Sequence, residues 1–148
     1  MASRLIKETI RHTPSGSQTV LRCPSTHEAV EETTDRLSDM LVALPLSERE
    51  RFELTLAIHE ALANAAHHGN RDDPAKDVTV TWCCRPDRLL IAVDDEGEGF
   101  DPAAVPDCTA EENILRESGR GIFLIRRLAD ECHFENHGRR VVMIKHLR

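Results

Sequence analysis

The stretch Ser47 to Asn70, SERERFELTLAIHEALANAAHHGN, decides how this chain folds. Ser47 is followed three residues later by Glu50, the spacing at which a hydroxyl and a carboxylate satisfy each other's backbone amides at a helix start. Leu56, Ala57, Ile58, Ala61, Leu62, Ala63, Ala65 and Ala66 then make the segment apolar or small on nearly all sides, so much of this helix is expected to be buried. It should run from Ser47 to about His68 and close at Gly69-Asn70. Within it stand Glu60 and Asn64, four residues apart and so on one face, with His67 and His68 one turn further along. Buried polar groups need partners. On this pair alone, a helix with one charged face is the simpler reading.

Working outward, Ser25 with Glu28 repeats the helix-start spacing, and Val30, Leu37, Leu41 and Leu44 recur at helical intervals until Pro45 stops the segment. On the other side, Val78 to Trp82 alternates with period two, and Leu89 to Val93 follows across Arg85-Pro86-Asp87, the pattern of a hairpin. A further helix is expected from about Arg120 to Glu131. After it come a strand at His133 to Glu135, a turn at Asn136-His137-Gly138 and a strand at Val141 to His146. Residues 1–16 read as a flexible lead-in or irregular edge strand, before a short strand near Gln18 to Cys23. Residues 17–148 then form one α+β domain, a two-layer sandwich of a mixed, mainly antiparallel sheet covered on one face by helices.

Composition narrows the function. The 148 residues carry 19 Lys or Arg against 26 Asp or Glu, a formal charge of −7, which does not suit a bulk electrostatic grip on nucleic acid. Tyr is absent and aromatic residues make only 3%, so a base-stacking platform has little to be built from. No apolar run approaches the roughly 20 residues needed to span a bilayer, and the amino terminus lacks an apolar signal core. No membrane partner is expected. The five cysteines, Cys23, Cys83, Cys84, Cys108 and Cys132, contain no C-x-x-C and read as reduced cytoplasmic thiols. His67, His68, Cys83 and Cys84 make a poor zinc centre, because adjacent strand side chains point to opposite faces.

Two more elements carry chemistry. Alternation along Leu89 to Asp95 places Leu89, Ile91, Val93 and Asp95 on one side, so Asp95 ends an apolar row pointing toward the core. Gly97 and Gly99 follow and allow a sharp turn and close approach to a ligand. Further on, Ser118-Gly119-Arg120-Gly121 opens into an apolar helix, whose free amides and positive end suit phosphate oxygens. The glycine spacing fits neither a Walker loop nor a dinucleotide fingerprint. Between them, residues 100–118 hold Pro102, Pro106 and many acids, and their length suggests a functional lid.

Taken in order, Glu60-Ala61-Leu62-Ala63-Asn64-Ala65-Ala66-His67-His68-Gly69, Asp95-Glu96-Gly97-Glu98-Gly99-Phe100 and Ser118-Gly119-Arg120-Gly121-Ile122 resemble the N, G1 and G2 boxes of the GHKL ATPase superfamily. Within it the chain is most similar to the single-domain bacterial anti-sigma factor serine-protein kinases. The resemblance implies that Asn64 helps to coordinate Mg²⁺ on the ATP phosphates, as a hard amide oxygen can. It makes Glu60 the residue that orients or deprotonates the attacking serine hydroxyl. Asp95 would accept a hydrogen bond from the adenine amino group, and Gly97 and Gly99 would let the base approach. His67 and His68 would lie near the phosphates, Gly119, Arg120 and Gly121 would cradle them, and residues 101–118 would fold over the nucleotide.

By the same resemblance, the protein would phosphorylate a serine of a small antagonist protein, alternately bind a sigma factor, and form a homodimer. Three positions depart from the pattern. His67 stands where relatives often have Lys, Glu117 where some kinases present Arg to the terminal phosphate, and Gly138-Arg139 where a Gly-Thr is usual. These departures keep open a second reading, a noncatalytic ATP- or ADP-sensing module that regulates a partner. The catalytic domain of a sensor histidine kinase fits less well, since the chain is too short to add a helical dimerisation domain.

Overall fold

The computed structural model describes residues 5–99 and 120–147, with the side chains of Arg120 and Gly121 excepted. The expected lid, and with it Cys108, Glu117 and Gly119, lies outside the described residues. Six strands form one sheet: β1 (Lys7–Thr13), β2 (Gly16–Pro24), β3 (Asp77–Cys84), β4 (Arg88–Asp94), β5 (Glu131–Glu135) and β6 (Arg140–His146). Their order is β1-β2-β3-β4-β6-β5. Three helices, α1 (His27–Leu41), α2 (Glu48–Asn64) and α3 (Arg120–Leu128), lie against one face, and a π-helical turn, Ala65–Gly69, extends α2. The expected two-layer α+β sandwich is present. All five ladders are antiparallel, so the sheet is not mixed among the described residues.

Period-two alternation builds the core. Val78, Val80 and Trp82 of β3, with Leu89, Ile91 and Val93 of β4, point inward and meet Leu37, Leu41, Leu54, Ile58, Leu62 and Ile125 from the helices. The register Val80↔Val93 and Trp82↔Ile91 sets these rows opposite each other, where cross-strand pairs reinforce one another. A smaller apolar cluster, Leu90, Ala92, Val142 and Ile144, occupies the other face. Asp95, following directly on β4, is thus delivered to the end of the inward row.

Several boundaries differ from the sequence reading, each for a local reason. The cap of α1 is Thr26, whose side chain accepts a bond from Ala29 N. Ser25 is instead drawn inward, donating to Lys76 O at 2.7 Å. The same helix ends at Leu41 rather than near Leu44. Tight bonds from Val42 N to Asp39 O and Leu44 N to Leu41 O lead the chain toward Pro45, before which helical geometry is disfavoured. Helix α3 ends at Leu128 rather than Glu131, because Asp130 N bonds to Ile144 O and the chain joins the sheet. The lead-in is regular from Lys7 onward. Strand β1 pairs with β2 over its whole length, from Lys7↔Arg22 to Thr13↔Gly16. Its residues are exposed on both faces except Thr13, so no apolar alternation marks it as a strand.

The capping box of α2 forms as expected, with Glu50 N donating to Ser47 Oγ and Ser47 N donating to Glu50 Oε1, both at 3.1 Å. Lys145 Nζ lies 3.1 Å from the other Glu50 oxygen and 3.4 Å from Asp130 Oδ2. The Ser47 backbone bond, aided by Lys145, lowers the Glu50 pKa from 4.5 to about 2. A depressed carboxylate pKa means that its stabilisation is complete above the unfolded-state value and lost as pH falls toward the folded one. Glu50→Gln should therefore lower Tm at pH 7, and the gap from wild type should close between pH 4.5 and about 2. Thermal melts across that range check this; a gap independent of pH would contradict it.

Candidate functional site

The face of α2 that carries Glu60 and Asn64 leads straight into a widening of the helix. At residue 65 the i to i+4 pattern gives way to a π-turn, with Asn70 N bonding to Ala65 O at 2.8 Å and Asp72 N to Ala66 O at 2.9 Å. Such turns interrupt α-helices most often at functional sites. Arg71 and Asp72 then adopt positive φ values of 54° and 58°, a region that non-glycine residues seldom visit and that reverses the chain within two residues. Glu60 and Asn64 are half-buried, whereas His67 and His68 are exposed. The two imidazoles sit edge to face with centroids 4.7 Å apart. His67 Nδ1 lies 2.7 Å from Asp72 Oδ2.

Asp95 meets the end of this turn. The space where a side chain at Gly69 would begin is filled by the Asp95 carboxyl group, so any larger residue there would have to displace that carboxyl. Gly97 is equally constrained, since a Cβ on it would collide with the Gly69 carbonyl oxygen. Gly99, at φ +84°, backs onto the His137 carbonyl. Asp95 Oδ1 accepts a bond from Gly97 N at 2.8 Å, and Asp95 N donates to Arg139 O at 2.9 Å. Burial pushes the Asp95 pKa up from its ordinary value, and the Gly97 amide and the Arg139 charge oppose that rise. The result is a half-buried carboxylate suited to accepting a hydrogen bond from a ligand donor.

The site residues expected from sequence therefore fall into two groups. Asp95 and Gly97, with Gly99 following, come against Gly69, the expected helix closer, at the end of the helix that holds Glu60, Asn64, His67 and His68. Arg120 and Gly121 begin α3, which packs beside α2, so that helix N-terminus opens from the neighbouring element. Among the described residues no three His, Cys, Asp or Glu side chains gather as a metal cage.

Sequence reading missed the residues that fasten the Asp95 turn to the elements around it. Asn70, read as a helix closer, is fully buried. It donates to Ser25 Oγ at 2.9 Å and to Asp77 O at 3.0 Å, and accepts from Glu96 N at 2.7 Å. The Glu96 carboxylate in turn accepts from Asp77 N. Arg139 accepts from Asp95 N through its backbone carbonyl, a contact any residue type can make. A Gly-Asn pair at the end of a long apolar helix was the only available signal for Asn70, and it reads equally well as a simple stop.

Comparison with known proteins agrees with this geometry. Residues 23–145 match the histidine kinase-like ATPase domain family. The serine-protein kinase RsbW of Bacillus subtilis is 34% identical over 104 residues, covering 64% of each chain. The serine-protein kinase RsbW of Oceanobacillus iheyensis is 28% identical over 134 residues, covering 86% of this chain and 85% of that protein. That of Staphylococcus epidermidis is 29% identical over 136 residues and 86% of each. The chain thus spans just under two thirds of the Bacillus subtilis relative and most of the other two. With the family match running from the second strand to the last, over the helix, turn and glycine elements just described, the chain belongs to the histidine kinase-like ATPase domain family.

Proposed function

We propose that this protein is an ATP-dependent serine-protein kinase that acts as an anti-sigma factor in a bacterial partner-switching circuit and phosphorylates a serine of a small antagonist protein. The observation that carries the reading is the contact of the Asp95 carboxyl with Gly69, which fastens a purine-recognising turn to the helix bearing Glu60 and Asn64. The relatives, named serine-protein kinases, agree with it. Asp95 accepts from the adenine amino group, and Gly97 and Gly99 admit the base. Arg120 and Gly121 at the start of α3, with Gly119 before them and with His67 and His68, would take the phosphates. Asn64 would offer an amide oxygen to Mg²⁺, which when bound would neutralise charge on the phosphate oxygens.

Glu60, one turn before Asn64, takes the proton of the incoming serine hydroxyl as its oxygen bonds to the γ-phosphorus and the bond to ADP breaks. Phosphoryl transfer asks mainly for this positioning and charge neutralisation. The protein works as a homodimer and binds a sigma factor when it is not engaged with the antagonist.

One observation favours a second reading, a noncatalytic ATP- or ADP-sensing module. His67, at a position where a cation would face phosphate, is instead held 2.7 Å from the Asp72 carboxylate. Incubation with labelled ATP, Mg²⁺ and the antagonist encoded beside it separates the two. Transfer to serine is expected, and Glu60→Gln should reduce it by about 100-fold or more, the usual worth of a positioned base, while ATP binding persists. No phosphoserine with intact nucleotide binding would replace the kinase reading with the sensing one.

Asp95 adds a pH signature. Its pKa is raised by burial, so the acceptor is lost on acidification earlier than an ordinary carboxylate would be. ATP affinity should fall on acidification with a midpoint above the ordinary carboxylate value of 3.8, and Asp95→Asn should bind more weakly at neutral pH and lose that transition. Calorimetric titrations at several pH values test it; identical profiles for the two proteins would count against adenine recognition by Asp95.

A further inference from the structure

Four side chains buried among the described residues are polar: Ser25, Thr33, Thr34 and Asn70. Thr33 and Thr34 return their hydroxyls to carbonyls of their own helix, Ala29 O and Val30 O, and need no further explanation. Ser25 and Asn70 are different. They bond to each other across 45 positions of sequence, and Asn70 also reaches the first residue of β3 and the residue directly after Asp95. Both amide protons and the amide oxygen of Asn70 are thereby used on three separate segments.

We infer that Asn70 is a positioning residue for nucleotide recognition, fixing the Asp95-Glu96-Gly97 turn against the end of α2 so that the Asp95 carboxyl is held ready for a purine amino group. This rests on the nucleotide-site reading of Asp95 and deepens it. The turn is pinned at four places. Asp95 N is tied to Arg139 O, Asp95 Oδ1 to Gly97 N, the Glu96 carboxylate to Asp77 N, and Glu96 N to Asn70 Oδ1. The first joins the end of β4 to the residue before β6, the second lies within the turn, and the third reaches the start of β3. The fourth, at 2.7 Å, is the one of these that attaches the turn to the segment that follows Glu60, Asn64 and Gly69. Ser25 orients the amide, because it accepts from Asn70 Nδ2 while donating its own proton to Lys76 O. That fixes which end of the amide faces Glu96. Loss of the amide would leave Glu96 N without its acceptor and release the turn from the end of α2, loosening the Asp95 carboxyl beside Gly69.

The test compares ATP with inosine triphosphate, which carries an oxygen where adenine has its amino group, for binding to the full chain with Mg²⁺. Wild type should prefer ATP, and Asp95→Asn should abolish most of that preference. Asn70→Ala should weaken ATP by about tenfold, the scale of one lost buried hydrogen bond, and change inosine triphosphate by less than about threefold, so the preference collapses. A residue needed only for folding would weaken both nucleotides alike or neither. Ser25→Ala, which removes one of the three anchors of Asn70, should give a smaller loss of the same preference, and it decides the matter if Asn70→Ala does not fold. Retention of full preference in folded Asn70→Ala, or in Ser25→Ala when the other cannot be used, overturns the inference while leaving Asp95 in its role. Wild type without preference, or Asp95→Asn with preference intact, overturns the nucleotide-site reading and this inference together.

Discussion

Gly69 and the Asp95 carboxyl occupy adjoining space that leaves no room for a Cβ, and the arrangement of the site depends on that approach. Helix α2 can carry a carboxylate and an amide on one face anywhere in a protein, and a strand can end in an acid and two glycines. Neither alone makes a site. The two become one because the helix widens into a π-turn at Ala65, brings Gly69 to the end of β4, and places Asn70 beneath the turn that follows. The Asp95 carboxyl fills the space of a Cβ at Gly69, and the Gly69 carbonyl fills that of a Cβ at Gly97.

Burial supplies the second constraint. Asp95 and Asp94 are neighbours, and burial raises the pKa of each. Asp94 lies across from Arg140 and is relieved by an ion pair at 2.7 Å. Asp95 faces the other way and is relieved by a backbone amide and by the more distant Arg139 charge. Alternation along one strand thus gives two adjacent carboxylates different fates. One is spent on the sheet, and the other keeps an acceptor that a ligand can use.

Much of this was legible in the linear pattern. The capping box at Ser47 and Glu50, the facing rows of β3 and β4, and the inward direction of Asp95 follow from local periodicities of 3.6 and 2, which act over a few residues. What could not be read depends on partners far away in sequence. Ser25 matches a helix cap by spacing, yet Asn70 and Lys76 claim it. Strand β1 has no buried face, so only its ladder with β2 defines it. Arg139 meets Asp95 through its backbone carbonyl, which no side-chain pattern announces.

Amide chemical shifts of the full chain, followed as Mg²⁺ and ATP are titrated in, bear most directly on whether these segments form a single nucleotide site. The largest changes should fall together on Asn64 to Asn70, on Asp95 to Gly99 and on the first turn of α3. Outer-face residues such as Leu90 and Val142 should remain still. Changes confined to one segment, or centred on that opposite face of the sheet, would contradict a shared cavity built on the contact between Gly69 and Asp95.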